Sequence, residues 1–153
     1  MLDEGPMTPG PAEFAASVAQ SNGYELAAAW AALAQSGDRR IRAFANRMLA
    51  EHEHMGRALG EAAKASGIEP PRPHVGGDHM RLLSGLQSLR DHDFDREYAR
   101  QQMLAHASML ASARRYADKG GDLNLRRLAA SSIGAIEGHL EAARQLMQAL
   151  AAG

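Results

Sequence analysis

The stretch IRAFANRMLAEHEHMGRAL, residues 41–59, decides the fold. Ile41, Phe44, Met48, His52, Met55 and Leu59 recur in it at steps of three and four. Residues spaced this way fall on one face of an α-helix, and the stripe they make is narrow, as the seam of a helical bundle requires. One member of the stripe, His52, is not apolar.

The same period runs through the rest of the chain. Phe14, Val18, Ser21, Glu25, Ala28 and Ala32 share a face of a first helix. Ala99, Met103, His106, Leu110, Ala113 and Ala117 share a face of a third. Leu128, Ser132, Ala135, His139, Ala143, Leu146 and Leu150 share a face of a fourth. Leu26, Trp30, Leu33, Leu49 and Leu140 widen these stripes toward a core. Alanine is abundant and Val, Ile and Thr are scarce, which favours helix because Ala loses no side-chain entropy there.

Punctuation places the ends. Met1 to Pro11 holds three prolines and two glycines and reads as a flexible tail, residues 1–11. The first helix starts at Pro11 or Ala12 and reaches about Gln35; Ser36, Gly37 and Asp38 supply a stop, a turn and an N-cap. The second runs from Arg39 to about Ser66 and stops at Gly67. Ile68 to Gly77, with Pro70, Pro71 and Pro73, is a long irregular connection, and a short helical piece over His79–Leu89 follows it. Asp93 caps the third helix, Gly120 and Gly121 end it, and Asp122 caps the fourth, which reaches about Leu150. The expected fold is all-α, an antiparallel four-helix bundle forming one domain over residues 12–150.

The totals exclude several functions. The formal net charge is −1, and no basic stripe with aromatics appears, so nucleic acid is not an expected partner. No stretch approaches the roughly 20 apolar residues of a membrane span. Met1 to Pro11 has no apolar core, so no signal peptide is expected in this sequence. There is no cysteine, hence no disulfide, thiolate or iron–sulfur chemistry. No Gly-rich phosphate loop or serine nucleophile elbow is present.

Each stripe is interrupted by one ionisable residue: Glu25, His52, His106 and His139. Glu25 and His52 lie about 12 and 15 residues from the first hairpin turn, roughly 18 and 22 Å at the helical rise. His106 and His139 lie about 14 and 19 residues from the second, roughly 21 and 28 Å. With both turns at one end, the four converge near mid-bundle. Burying them unpaired is costly, and a divalent transition metal satisfies imidazoles and carboxylate together: zinc, copper, iron or manganese. The competing reading is a hydrogen-bonded polar layer.

Glu51 and His54 form a weaker Glu-x-x-His pair of the kind di-metal bundles use, although His54 is about 200° around the helix from His52. His52-x-x-Met55 and His106-x-x-Met109 form a faint internal repeat. Met48, Met55, Met103, Met109 and Met147 lie on or beside the seam, where thioethers fill gaps or serve copper(I). His74, His79 and His92 belong to the connection and are expected to be solvated.

Several words in the sequence match a known pattern. They are Glu25 in an Ala-rich helix, Arg42-Ala43-Phe44-Ala45 leading to Met48 and Glu51-His52, then Ser66-Gly67-Ile68. Phe94-Asp95-Arg96-Glu97-Tyr98 before His106, and His139-Leu140, complete them. From Ala12 to Leu150 the chain resembles the bacterial family known as domain of unknown function 4142. The resemblance implies a ferritin-like four-helix bundle, often exported to the periplasm. The family pattern has Asp-His in helices two and three; here Glu51-His52 and Ala105-His106 stand there, which weakens a carboxylate-rich di-metal centre.

Three functions are therefore in view. The first is a metal-binding bundle protein for storage, buffering or stress protection, without turnover. The second is a structural or interaction bundle, as a homodimer, whose polar layer sets register. The third is a metal-dependent oxidoreductase, which needs an open coordination position and a substrate channel.

Overall fold

The computed structural model describes residues 7–152. These residues hold five helices and no strand: α1 Pro11–Gln35, α2 Arg39–Ala65, α3 Gly77–Gln87, α4 Asp91–Lys119 and α5 Leu123–Ala152. The first six residues of the expected tail lie outside the described part, and residues 7–10 have no regular structure. The chain is all-helical, with five helices where four were expected. The short piece after the proline-rich connection is a full element of 11 residues. No helix among the described residues is long and apolar enough to cross a membrane.

The ends follow from local chemistry. Pro11 opens α1 at a position that needs no amide donor. The Asp38 carboxylate accepts from the amides of Arg40 and Ile41 at 2.8 and 3.3 Å, capping α2. That helix closes on Gly67 at φ 69°. The Ile68 amide donates to Ala63 and the Gly67 amide to Lys64, so two otherwise orphaned carbonyls are satisfied. Asp122 accepts from the Leu125 amide at 2.9 Å and caps α5.

Three expectations need correction. The α4 helix begins at Asp91, before Asp93, because Asp91 adopts φ 51° and turns the chain, letting the Phe94 amide reach the Arg90 carbonyl. In α5 the buried position is Ile136, and Ala135 is exposed. Trp30, assigned to a widened core face, is 62% exposed.

The α1 and α2 helices pack along each other, as do α4 and α5. Contacts of α2 with α5 and of α1 with α4 join the pairs, while α3 lies on α1 and α4. The main core gathers Tyr24, Ala28, Ala32, Ile41, Phe44, Met48, Phe94, Tyr98 and Leu146, with Leu83 and Leu86 from α3. Each large side chain buried there contributes about 1.5–3 kcal/mol. A second cluster at the other end stacks Phe14 on Tyr116, with ring centres 3.9 Å apart. Gly23 permits one close approach: a Cβ there would lie 2.3 Å from the His74 carbonyl oxygen, so the connection crosses α1 on bare backbone.

Candidate metal centre

Between the two clusters the seam turns polar. The side chains of His52 from α2, His106 from α4 and His139 from α5 are 5%, 0% and 3% exposed. Their ring centres are 5.1–5.8 Å apart. One nitrogen from each ring lies within 4.8 Å of one from each of the others. A tetrahedral ion with bonds of about 2.1 Å asks for about 3.4 Å between ligand nitrogens, so nitrogens up to 4.8 Å apart would have to draw together to hold one.

Each ring is anchored by its other nitrogen. His52 Nδ1 donates to the Asn22 side-chain oxygen at 2.9 Å. His106 Nδ1 donates to the Gln102 backbone carbonyl at 2.8 Å. His139 Nε2 donates to the Glu51 carboxylate. All three acceptors are oxygens, which assigns the tautomers. The lone pairs are then on His52 Nε2, His106 Nε2 and His139 Nδ1, and these buried atoms have no hydrogen-bond partner in the protein. Rings fixed through one nitrogen to a carbonyl or carboxylate, with the other left free, are the arrangement metal-ligating histidines use. The residues present therefore fit a transition metal bound through nitrogen.

Burial keeps the rings neutral. It pushes His52 down to about 3, helped by the neighbouring His106 and His139. Burial likewise pushes His106 down to about 4, against the Gln102 carbonyl, which favours the charged form. His139 is also held below 6.5 by burial, with Glu51 opposing. Neutral imidazole is the form that binds metal.

The carboxylates stand outside the trio. Glu25 is 0% exposed, and its Oε1 is 4.0 Å from His106 Nδ1, the anchored side of that ring. It is not among the three converging groups. With no cation beside it, burial pushes its carboxyl up to about 8, so it carries a proton at neutral pH. Glu51 reaches His139 from the α2 surface and also accepts from Arg47 at 2.8 Å. Burial raises its carboxyl, but the Arg47 and His139 contacts outweigh this and hold it below its ordinary value. Glu51 thus fixes the orientation of the His139 ring through its Nε2. His54 is exposed and takes no part, because two residues along a helix face opposite sides.

Other expectations fall differently. His79 is half-buried and stacks on Tyr24 at 4.9 Å, whereas His74 and His92 are exposed. Met48 is buried, and Met55, Met103, Met109 and Met147 are partly buried. The anchoring partners Asn22 and Gln102 escaped the periodic reading. Asn22 carried a usable signal, since it precedes Glu25 by three residues and shares its face. The Gln102 contact is a backbone carbonyl, which no side-chain pattern reveals.

The comparisons with known proteins complete the description. No curated protein matches the chain. Among solved structures, the crystal structure of a DUF305 fragment from Deinococcus radiodurans matches with a TM-score of 0.76 at 20% identity, covering 97% of this chain and 100% of that one. At that identity the likeness is one of fold. The family model described as domain of unknown function (DUF4142) matches residues 2–146, and the chain belongs to that family.

Proposed function

We propose that this chain is a metal-binding protein, with α1, α2, α4 and α5 as an antiparallel, ferritin-like four-helix bundle and α3 as a cover. The ion is a divalent transition metal held by His52, His106 and His139. One observation carries the reading: three buried, neutral imidazoles present unpartnered lone pairs while their second nitrogens are anchored. An uncompensated set of buried acceptors is costly, and an ion removes the cost. Three imidazoles suit zinc, copper, iron or manganese. Two carboxyls, Glu51 and Glu25, lie beside ligand rings and balance a dication once Glu25 ionises. The physiological role is storage, buffering or stress protection, in the periplasm if the chain is exported as the family resemblance implies.

One observation favours a second reading. With Glu25 protonated, the rings neutral and the Glu51 carboxylate paired with Arg47, the layer holds no unpaired charge and can persist as a polar seam that sets helix register, in a monomer or a homodimer.

Elemental analysis by mass spectrometry on untagged protein separates the two. About one equivalent of a transition metal is expected, lost after His52→Ala or His139→Ala and retained after His74→Ala. Equal metal content in all three variants refutes the assignment. No uptake from iron, manganese, zinc or copper leaves the polar seam.

A further inference from the structure

A cavity of about 90 Å³ lies beside His52, between α1, α2, α4 and α5. Its walls are Phe14, Val18, Leu128 and Ile136, with the thioethers of Met55 and Met109. Five serines also line it: Ser17, Ser21, Ser108, Ser112 and Ser132. Ser17, Ser108 and Ser112 are exposed and form its mouth, whereas Ser132 is buried and its hydroxyl donates to the Ala129 carbonyl at 2.8 Å. No Asp, Glu, Lys or Arg borders the space. No charged side chain borders it to offset the hydration an entering ion would lose, so the cavity favours uncharged molecules. Its volume is below the roughly 150 Å³ that holds a benzene, which limits the occupant to a few heavy atoms.

The deep end is polar. Asn22 and His52 border the cavity, are 2% and 5% exposed, and each has an atom without a protein partner, Asn22 Nδ2 and His52 Nε2. Because Asn22 Oδ1 accepts from His52 Nδ1, the Asn22 amide offers N–H donors and His52 Nε2 offers a lone pair. The Asn22 amide therefore asks for an oxygen acceptor inside the cavity, whereas His52 Nε2, on the far side of its ring from Asn22, is the atom the metal reading uses.

We propose that this cavity is a binding site for a small, uncharged, oxygen-bearing molecule of the size of a short-chain alcohol, its oxygen accepting from the buried, unpartnered Asn22 amide. The site does not require the metal reading, although its occupant would lie next to an ion held by His52.

Fluorine NMR with 2-fluoroethanol tests this, on chain stripped by a chelator and on chain incubated with zinc. The ceiling on affinity per heavy atom puts the dissociation constant no tighter than about 40 μM, so millimolar titrations are in range. Ser21→Leu fills the cavity from α1 and Ser112→Leu closes its mouth from α4. Each is expected to weaken binding on the order of tenfold or more, while exposed Ser131→Leu, away from the cavity, leaves it unchanged. Fluoroacetate, similar in size but charged, is expected not to bind. Absent saturation with the unaltered chain, undiminished binding in both leucine variants, or fluoroacetate binding as tightly as fluoroethanol each overturns the proposal. Fluoroethanol binding without any metal uptake refutes only the metal centre; metal uptake without fluoroethanol binding refutes only the cavity site.

Discussion

Glu25→Gln probes the electrostatics of the polar layer more directly than any change to the histidines. Burial raises the Glu25 carboxyl from 4.5 to about 8. Above pH 4.5 the unfolded chain releases this proton while the folded chain retains it. The folded state then binds more protons, so stability falls as pH rises, up to about 8, and is flat beyond. Each pKa unit is worth about 1.36 kcal/mol. The whole interval, (8 − 4.5) × 1.36, gives about 5 kcal/mol, and the part between pH 6.5 and 8 gives about 2 kcal/mol. Glutamine has nearly the same shape and does not ionise, so the variant lacks this decline. Urea unfolding followed by circular dichroism, in a chelator at pH 6.5, 7, 8 and 9, reads the difference between the two proteins, and groups common to both cancel. The variant is expected to gain about 2 kcal/mol on the unaltered chain across that range. Parallel pH profiles would refute the claim that Glu25 is buried without a cation.

The histidines give the opposite slope. His52 and His106 fall from 6.5 to about 3 and 4 on folding, so the metal-free chain loses stability as pH drops below 6.5, about 3 kcal/mol from His106 alone by pH 4; urea midpoints should fall steeply there, and less so in His106→Gln. Glu51→Gln removes the carboxylate that orients His139 and is expected to weaken metal binding about 10–100-fold, measured by competition with a chromogenic chelator. Gly67→Ala forces a side chain onto φ 69° and is expected to cost about 1 kcal/mol, read as a lowered thermal midpoint with metal content unchanged.

How far the sequence reveals this molecule differs from element to element. Helix ends marked by Asp38, Gly67 and Asp122 were legible because a cap or a left-handed stop acts within a few residues. The start of α4 was not, because Asp91 takes a conformation its residue type only tolerates. The three histidines were legible because helical period alone turns them inward. Glu25 shares that inward face, yet it stands on the anchored side of His106, and a height along a helix axis cannot distinguish one side of a ring from the other. Tyr24 and Gln101 lie off the periodic stripes and are buried because α3 covers the α1–α4 groove: His79 stacks on Tyr24, and the Leu82 carbonyl accepts from Gln101. Amphipathic period sees one buried face per helix, and a short fifth helix adds a second. Trp30 errs the other way, an aromatic at core spacing that stays 62% exposed.

The anchored, neutral rings change the competition between hydrogen ions and metal. In an exposed trio of histidines, an incoming cation must displace protons as the medium becomes mildly acid, and affinity drops accordingly. Here folding has already excluded those protons, so an ion taken up at His52 and His106 would displace almost none from these two rings near neutral pH. The work of keeping the nitrogens free is done once, when the helices assemble.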